Sequence, residues 1–167
     1  MAFQDRSEFQ DLAADLPPAL ETDARLIGRI VNDYHVPHLR DLLVALESSR
    51  KVEARHRHHP QAPEGLTDLL TRFFDHLSIH QAREEAVLFP MMLKGAPNLS
   101  HPILAMVIEH QDVRQDLCEL AQITRGFTPP EDACGSWLGL YDLCRKFDAD
   151  LREHIRLEEE VLFPRFS

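Results

Sequence analysis

The chain's 167 residues are enough for one domain with one substantial core. A formal net charge of −10 argues against nucleic acid or an anionic membrane surface as a partner. No apolar run approaches the ~20 residues of a membrane helix. Three cysteines without a Cys-x-x-Cys pair, and an N-terminus without an apolar signal region, point to reduced thiols and a cytoplasmic location.

In chain order, residues 1–21 are polar, end near Pro17-Pro18, and are expected to form an arm or a short leading helix. Thr22 or Asp23 can cap the first long helix. Its apolar positions Ile27, Ile30, Val31, Tyr34, Leu39, Leu42, Leu43 and Leu46 recur at intervals of three and four, with His35 among them. Pro37 should kink or locally break this helix. The polar stretch from Glu53 to Pro63 reads as a loop, and Pro63 suits a helix start. The second seam carries Leu66, Leu70, Phe73, Leu77, His80, Glu84, Val87 and Met91, closed by Pro90 and Gly95. Ser100 can cap a third helix with the seam Ile103, Met106, Val107, His110, Val113, Leu117 and Leu120. Thr128-Pro-Pro-Glu131 has capping-box form before a fourth. That last seam holds Trp137, Leu140, Tyr141, Cys144, Phe147, Leu151, His154, Glu158 and Val161. Four amphipathic helices with short loops, and no strand, predict an all-α antiparallel up-down four-helix bundle over residues 22–167.

Two segments repeat. His80-Gln-Ala-Arg-Glu84-Glu85-Ala-Val87-Leu88-Phe89-Pro90 returns 74 residues later as His154-Ile-Arg-Leu-Glu158-Glu159-Glu-Val161-Leu162-Phe163-Pro164, identical at seven of eleven positions. A histidine four residues before a glutamate puts both side chains on one helix face. His35 precedes His80 by 45 residues and His110 precedes His154 by 44, so the chain reads as two similar hairpins. A lone seam histidine is usually a hydrogen-bonded core residue. Six polar seam residues in register, two of them carboxylates that are rarely buried unpaired, make packing accident a poor explanation. Four imidazoles and two carboxylates exceed what one tetrahedral zinc needs. They suit two cations, each held by two histidines and both sharing the glutamates. Histidine with carboxylate and no thiolate fits iron or manganese, and zinc stays open on affinity order.

The pattern H…HxxxE…H…HxxxE resembles the hemerythrin-like (HHE cation-binding) domain. Tyr34-His35, His80 to Pro90, Glu109-His110, Thr128-Pro-Pro-Glu131-Asp-Ala-Cys134 and His154 to Pro164 are similar to the repair-of-iron-centres family of di-iron proteins. The resemblance implies two non-haem iron ions, oxo- or hydroxo-bridged, with His35, His80, Glu84, His110, His154 and Glu158 as ligands. The third-helix HxxxH of invertebrate hemerythrins here reads His110-Gln-Asp-Val-Arg114, so a fifth histidine is absent and the site is more open. The family implies a role in nitrosative or oxidative stress: nitric oxide binding, or iron supply to damaged iron–sulfur proteins. The family's N-terminal cysteine domain is not in this sequence. Two readings compete with this: an oxygen or nitric oxide sensor that catalyses nothing, and a purely structural bundle with one zinc or none; turnover of nitric oxide to nitrous oxide would count against the sensor. A monomer or homodimer is expected.

Other residues carry less. Glu85 and Glu159 fit solvated faces better than acceptors for ligand N–H groups. Glu109 divides evenly between an access path and the surface, and Tyr34 reads as a core tyrosine. His38 and His76 are minor alternative ligands, and His56, His58 and His59 a solvated loop. Met91, Met92 and Met106 read as core filler, and Cys134 as a small buried thiol.

Overall fold

The computed structural model describes residues 18–166, and every regular element among them is helical. Most of the arm expected over residues 1–21 lies outside the described residues. Helix α1 (Pro18–Ile30) leads through a π turn, Val31–His35, into α2 (Val36–His56), forming the first rod. The second rod is α3 (Leu66–Arg83), a π turn Glu84–Leu88, and α4 (Phe89–Leu93). The third is α5 (Ser100–Ile123) alone. The fourth is α6 (Gly135–Arg156), a π turn Leu157–Leu162, and a 3-10 turn Phe163–Arg165.

The three π turns share a cause. Each ends two residues before a proline: Pro37, Pro90 and Pro164. A proline inside a helix has no N–H to donate, and its ring crowds the carbonyl four residues back. Here the turn widens instead. Val36 N–H reaches Val31 O, Phe89 N–H reaches Glu84 O, and Phe163 N–H reaches Glu158 O, each five residues back. The helix continues past the proline with one extra residue in the turn, the form such bulges usually take.

That extra residue shifts the buried face. Beyond Glu84 the α-helical seam predicts Val87 and Met91, but Val87 is 52% exposed while Leu88, Phe89 and Met92 are buried. Beyond Glu158, Leu162 is buried in place of Val161. Pro90 therefore does not close its helix; Gly95, at φ +62°, follows the end of α4. Other boundaries also move. The first helix runs to His56, four residues into the expected loop. α3 begins after Gly65 at φ +83°, not at Pro63. Ser100 and Thr128 cap nothing, because α5 and α6 start behind Leu99 and Cys134. Asp23 lies inside α1 and pairs with Arg165.

The first rod packs on the second and fourth, the second on the third, and the third on the fourth. Two apolar clusters fill the interior. One contains Ile27, Ile30, Phe89, Met92, Met106 and Phe163; the other contains Leu42, Phe73, Leu77, Leu117, Phe147 and Leu151. The first and third rods run from the former cluster to the latter and the second and fourth run back, so the bundle is antiparallel and up-down. On every rod the polar seam residues fall between the clusters, which makes them one buried layer across the bundle.

Candidate metal centre

The six seam residues meet. His35, His80, His110 and His154 are each at most 3% exposed, and Glu84 and Glu158 are fully buried. Two four-residue groups form: His35, Glu84, His154 and Glu158, and His80, Glu84, His110 and Glu158. Within each group the potential ligand atoms all lie within 4.8 Å of one another. The histidines pair across hairpins, with 3.2 Å between the Nε2 atoms of His35 and His154 and 3.2 Å between those of His80 and His110. Both glutamates belong to both groups. Glu84 Oε2 is 3.5 Å from His35 Nε2 and 3.4 Å from His80 Nε2. Glu158 turns Oε1 to His154 at 2.9 Å and Oε2 to His110 at 3.1 Å.

Hydrogen bonding does not account for this layer. All four carboxylate oxygens of Glu84 and Glu158 are buried without a donor at hydrogen-bond geometry. An unpaired buried carboxylate is among the least tolerable groups in a protein interior. Burial, and then Glu158 beside it, hold the Glu84 carboxyl well above the usual carboxylate range. Burial opposes ionisation of Glu158 too, but His154 and His110 outweigh it and hold that carboxyl well below the range. Burial keeps His35 low against the bond to Glu85 and takes His80 down to about 4. It also acts on His110, where Glu158 and Glu159 overcome it and raise the ring. Four imidazoles facing two orphaned carboxylates fit a pair of cations, which would satisfy these atoms.

The outer nitrogens are also positioned. His35 Nδ1 is 2.9 Å from Glu85 Oε1, His80 Nδ1 is 2.8 Å from Glu109 Oε2, and His110 Nδ1 is 3.0 Å from Glu159 Oε1. Such acceptors direct Nε2 inward and strengthen it as a donor to metal. Arg114 forks onto both oxygens of Glu159 at 3.0 and 2.6 Å, and Arg83 pairs with Glu109. The solvated-face reading of Glu85 and Glu159 is thus corrected: each reaches the single histidine of its own hairpin. The duplication of the second glutamate was the signal for it. Phe89 stacks on His35 with ring centroids 5.9 Å apart, and Phe163 on His110 at 6.1 Å. The repeated segment is therefore a half-site, combining an inward histidine, a shared glutamate, an acceptor and an aromatic cover for the neighbouring histidine, and the proline that sets the turn.

The remaining histidines stay out. His38 is buried 5.4 Å, centroid to centroid, from His154, with both nitrogens unpartnered, but belongs to neither group. His76 faces solvent 3.8 Å from Asp116. His56 sits 3.2 Å from Cys134 Sγ, and His59 3.2 Å from Asp132, away from the centre. A cavity of about 210 Å³ lies between α3 and α5, bordered by Ile79, His80, Arg83, Glu109 and Val113, and of the six layer residues only His80 lines it.

Among the described residues no helix is long and apolar enough to cross a membrane. The family model described as "Hemerythrin HHE cation binding domain" matches residues 26–166. The chain is also similar to two proteins named iron-sulfur cluster repair protein YtfE. The one from Pectobacterium atrosepticum is 38% identical over 143 residues, 85% of this chain and 65% of the relative. The one from Yersinia pestis (strain Pestoides F) is 40% identical over 141 residues, 84% of this chain and 64% of the relative. The chain thus spans just under two-thirds of the length of these curated relatives. With the match covering the whole buried His/Glu layer, the chain belongs to the hemerythrin HHE cation-binding domain family.

Proposed function

We propose that the protein holds two iron ions, with His35 and His154 on one, His80 and His110 on the other, and Glu84 and Glu158 bridging both. It then acts in nitrosative or oxidative stress, binding nitric oxide or supplying iron for repair of iron–sulfur clusters. The observation that carries this reading is the pair of fully buried glutamates whose four oxygens have no hydrogen-bond donor and face four imidazoles. The names of the relatives supply the repair role.

When bound, the iron pair would supply Lewis-acidic, redox-active positions for a diatomic ligand. The chain's own residues do the rest. Six protein ligands leave each cation short of a full set, so a small molecule has room. Phe89 and Phe163 wall the layer on one side, and Phe147 and Leu151 on the other, limiting water. The cavity between α3 and α5 touches the layer at His80, the side from which a small molecule would approach. Glu85, Glu109 and Glu159 fix three imidazoles in the orientation that binding requires.

The test is an optical spectrum of anaerobic, iron-loaded protein with and without nitric oxide, followed by incubation with an apo iron–sulfur protein. The expected results are a spectral change and regain of the cluster. A spectral change without iron transfer would favour the sensor reading, and neither response would end both.

A further inference from the structure

The internal repeat pairs residues of the two hairpins. His35 corresponds to His110, His80 to His154, Glu85 to Glu159 and Phe89 to Phe163. Each correspondence is matched by an equivalent contact, with one exception. Glu109, the residue before His110, accepts from His80 Nδ1 at 2.8 Å. Its counterpart before His35 is Tyr34. Tyr34 lies flat against His154, with centroids 5.7 Å apart and planes 18° off parallel. His154 Nδ1 is buried and meets no acceptor, and its ring neighbours are Tyr34, His35 and His38, none of them a carboxylate.

From this broken symmetry we infer that the two cation positions are unequal: the His80/His110 position fills first, and the His35/His154 position gives up its metal first. The inference rests on the two-cation reading above. At the first position both imidazoles are backed by carboxylates, Glu109 and Glu159, each held by an arginine. At the second only His35 is backed, by Glu85. Arg83 and Arg114 withdraw some basicity from their glutamates, yet a weakened acceptor still orients an imidazole, whereas the outer side of His154 has ring packing alone. Losing one such acceptor typically costs 10- to 100-fold in metal affinity. Glu109 and Tyr34 are positioning residues, since neither belongs to the groups that could hold the metal.

The experiment loads the whole protein anaerobically with one equivalent of Fe(II), crystallises it, and measures anomalous scattering at both positions. The expectation is that about nine-tenths or more of the iron lies between His80 and His110, following from a ratio of at least ~10. Glu109→Gln should move occupancy toward the His35/His154 position. Tyr34→Glu should supply the absent acceptor and bring the two positions close to equal. Equal occupancy in the unaltered protein, or excess at His35/His154, overturns the inference while leaving a two-cation site intact. Protein that takes up no iron overturns the reading beneath it as well. Occupancy is measured without reference to activity, and the unaltered protein decides the matter if a variant fails to fold.

Discussion

Replacing Glu84 by methionine should reverse sign with metal. In the metal-free protein Glu84 is a fully buried carboxyl with neither oxygen hydrogen-bonded, held above its usual range by burial and by Glu158. A folded-state pKa raised in this way favours folding at low pH and penalises it as pH rises, because the unfolded chain releases the proton first. Methionine has similar bulk and no charge, so it removes the cost of burying a carboxyl without a hydrogen bond, about 1–3 kcal/mol. In chelator at pH 7, Glu84→Met should therefore melt higher than the parent, by about 2–4 °C per kcal/mol for a chain of this size. The gain should fade as pH approaches the ordinary glutamate value of 4.5. With iron at about 1,000 times its dissociation constant the parent should gain about 4 kcal/mol, or about 8–16 °C, and the variant far less. Melting curves by circular dichroism, with and without metal, provide the assay. A variant less stable than the parent in chelator would refute the reasoning, because Glu84 would then be contributing to the fold itself.

Other expectations follow from the same structure. Burial lowers His80 to about 4 from an ordinary 6.5, so the unfolded chain takes up that proton first and metal-free stability should fall as pH drops through this window. His80 alone accounts for about 3 kcal/mol, readable from urea midpoints at pH 7 and pH 4. Phe73, fully buried and edge-on to Phe147 at 5.3 Å, should cost about 3–5 kcal/mol as Phe73→Ala in thermal melts. Burial pushes the Cys144 thiol up to about 12, so a thiol reagent should modify exposed Cys118 in native protein and reach Cys144 only on unfolding, as mass spectrometry would show. Arg114→Ala frees Glu159 without touching the cation groups, and should weaken metal affinity by less than Glu159→Gln does in a metal titration.

The buried His/Glu layer was legible in the sequence because its signal is local and duplicated. HxxxE needs only helical periodicity to be placed, and imidazoles or acids on an apolar seam contradict the core unless something satisfies them. What escaped was set by proline and by tertiary pairing. Pro37 and Pro90 read as a kink and an end, since helical spacing gives no hint that a turn can widen and continue; hence Val87 was placed inside and Leu88 was not. Glu85 and Glu159 looked solvated because their partners, His35 and His110, lie on a different rod. Which histidine faces which across hairpins depends on the packing of the rods, and no one-dimensional spacing encodes it. Thr128 and Ser100 satisfy capping patterns by composition, but Cys134 and Leu99 occupy the positions where those helices begin.

The most direct measurement is metal content per chain in protein purified from iron-replete cells under exclusion of oxygen, with His154→Ala and Glu158→Gln beside it. The proposed di-iron assignment predicts two irons per chain in the parent and a clear loss in both variants, with the helical signal retained. One tightly held zinc, no metal, or full iron content in both variants would contradict the assignment of the buried His/Glu layer to a pair of cations.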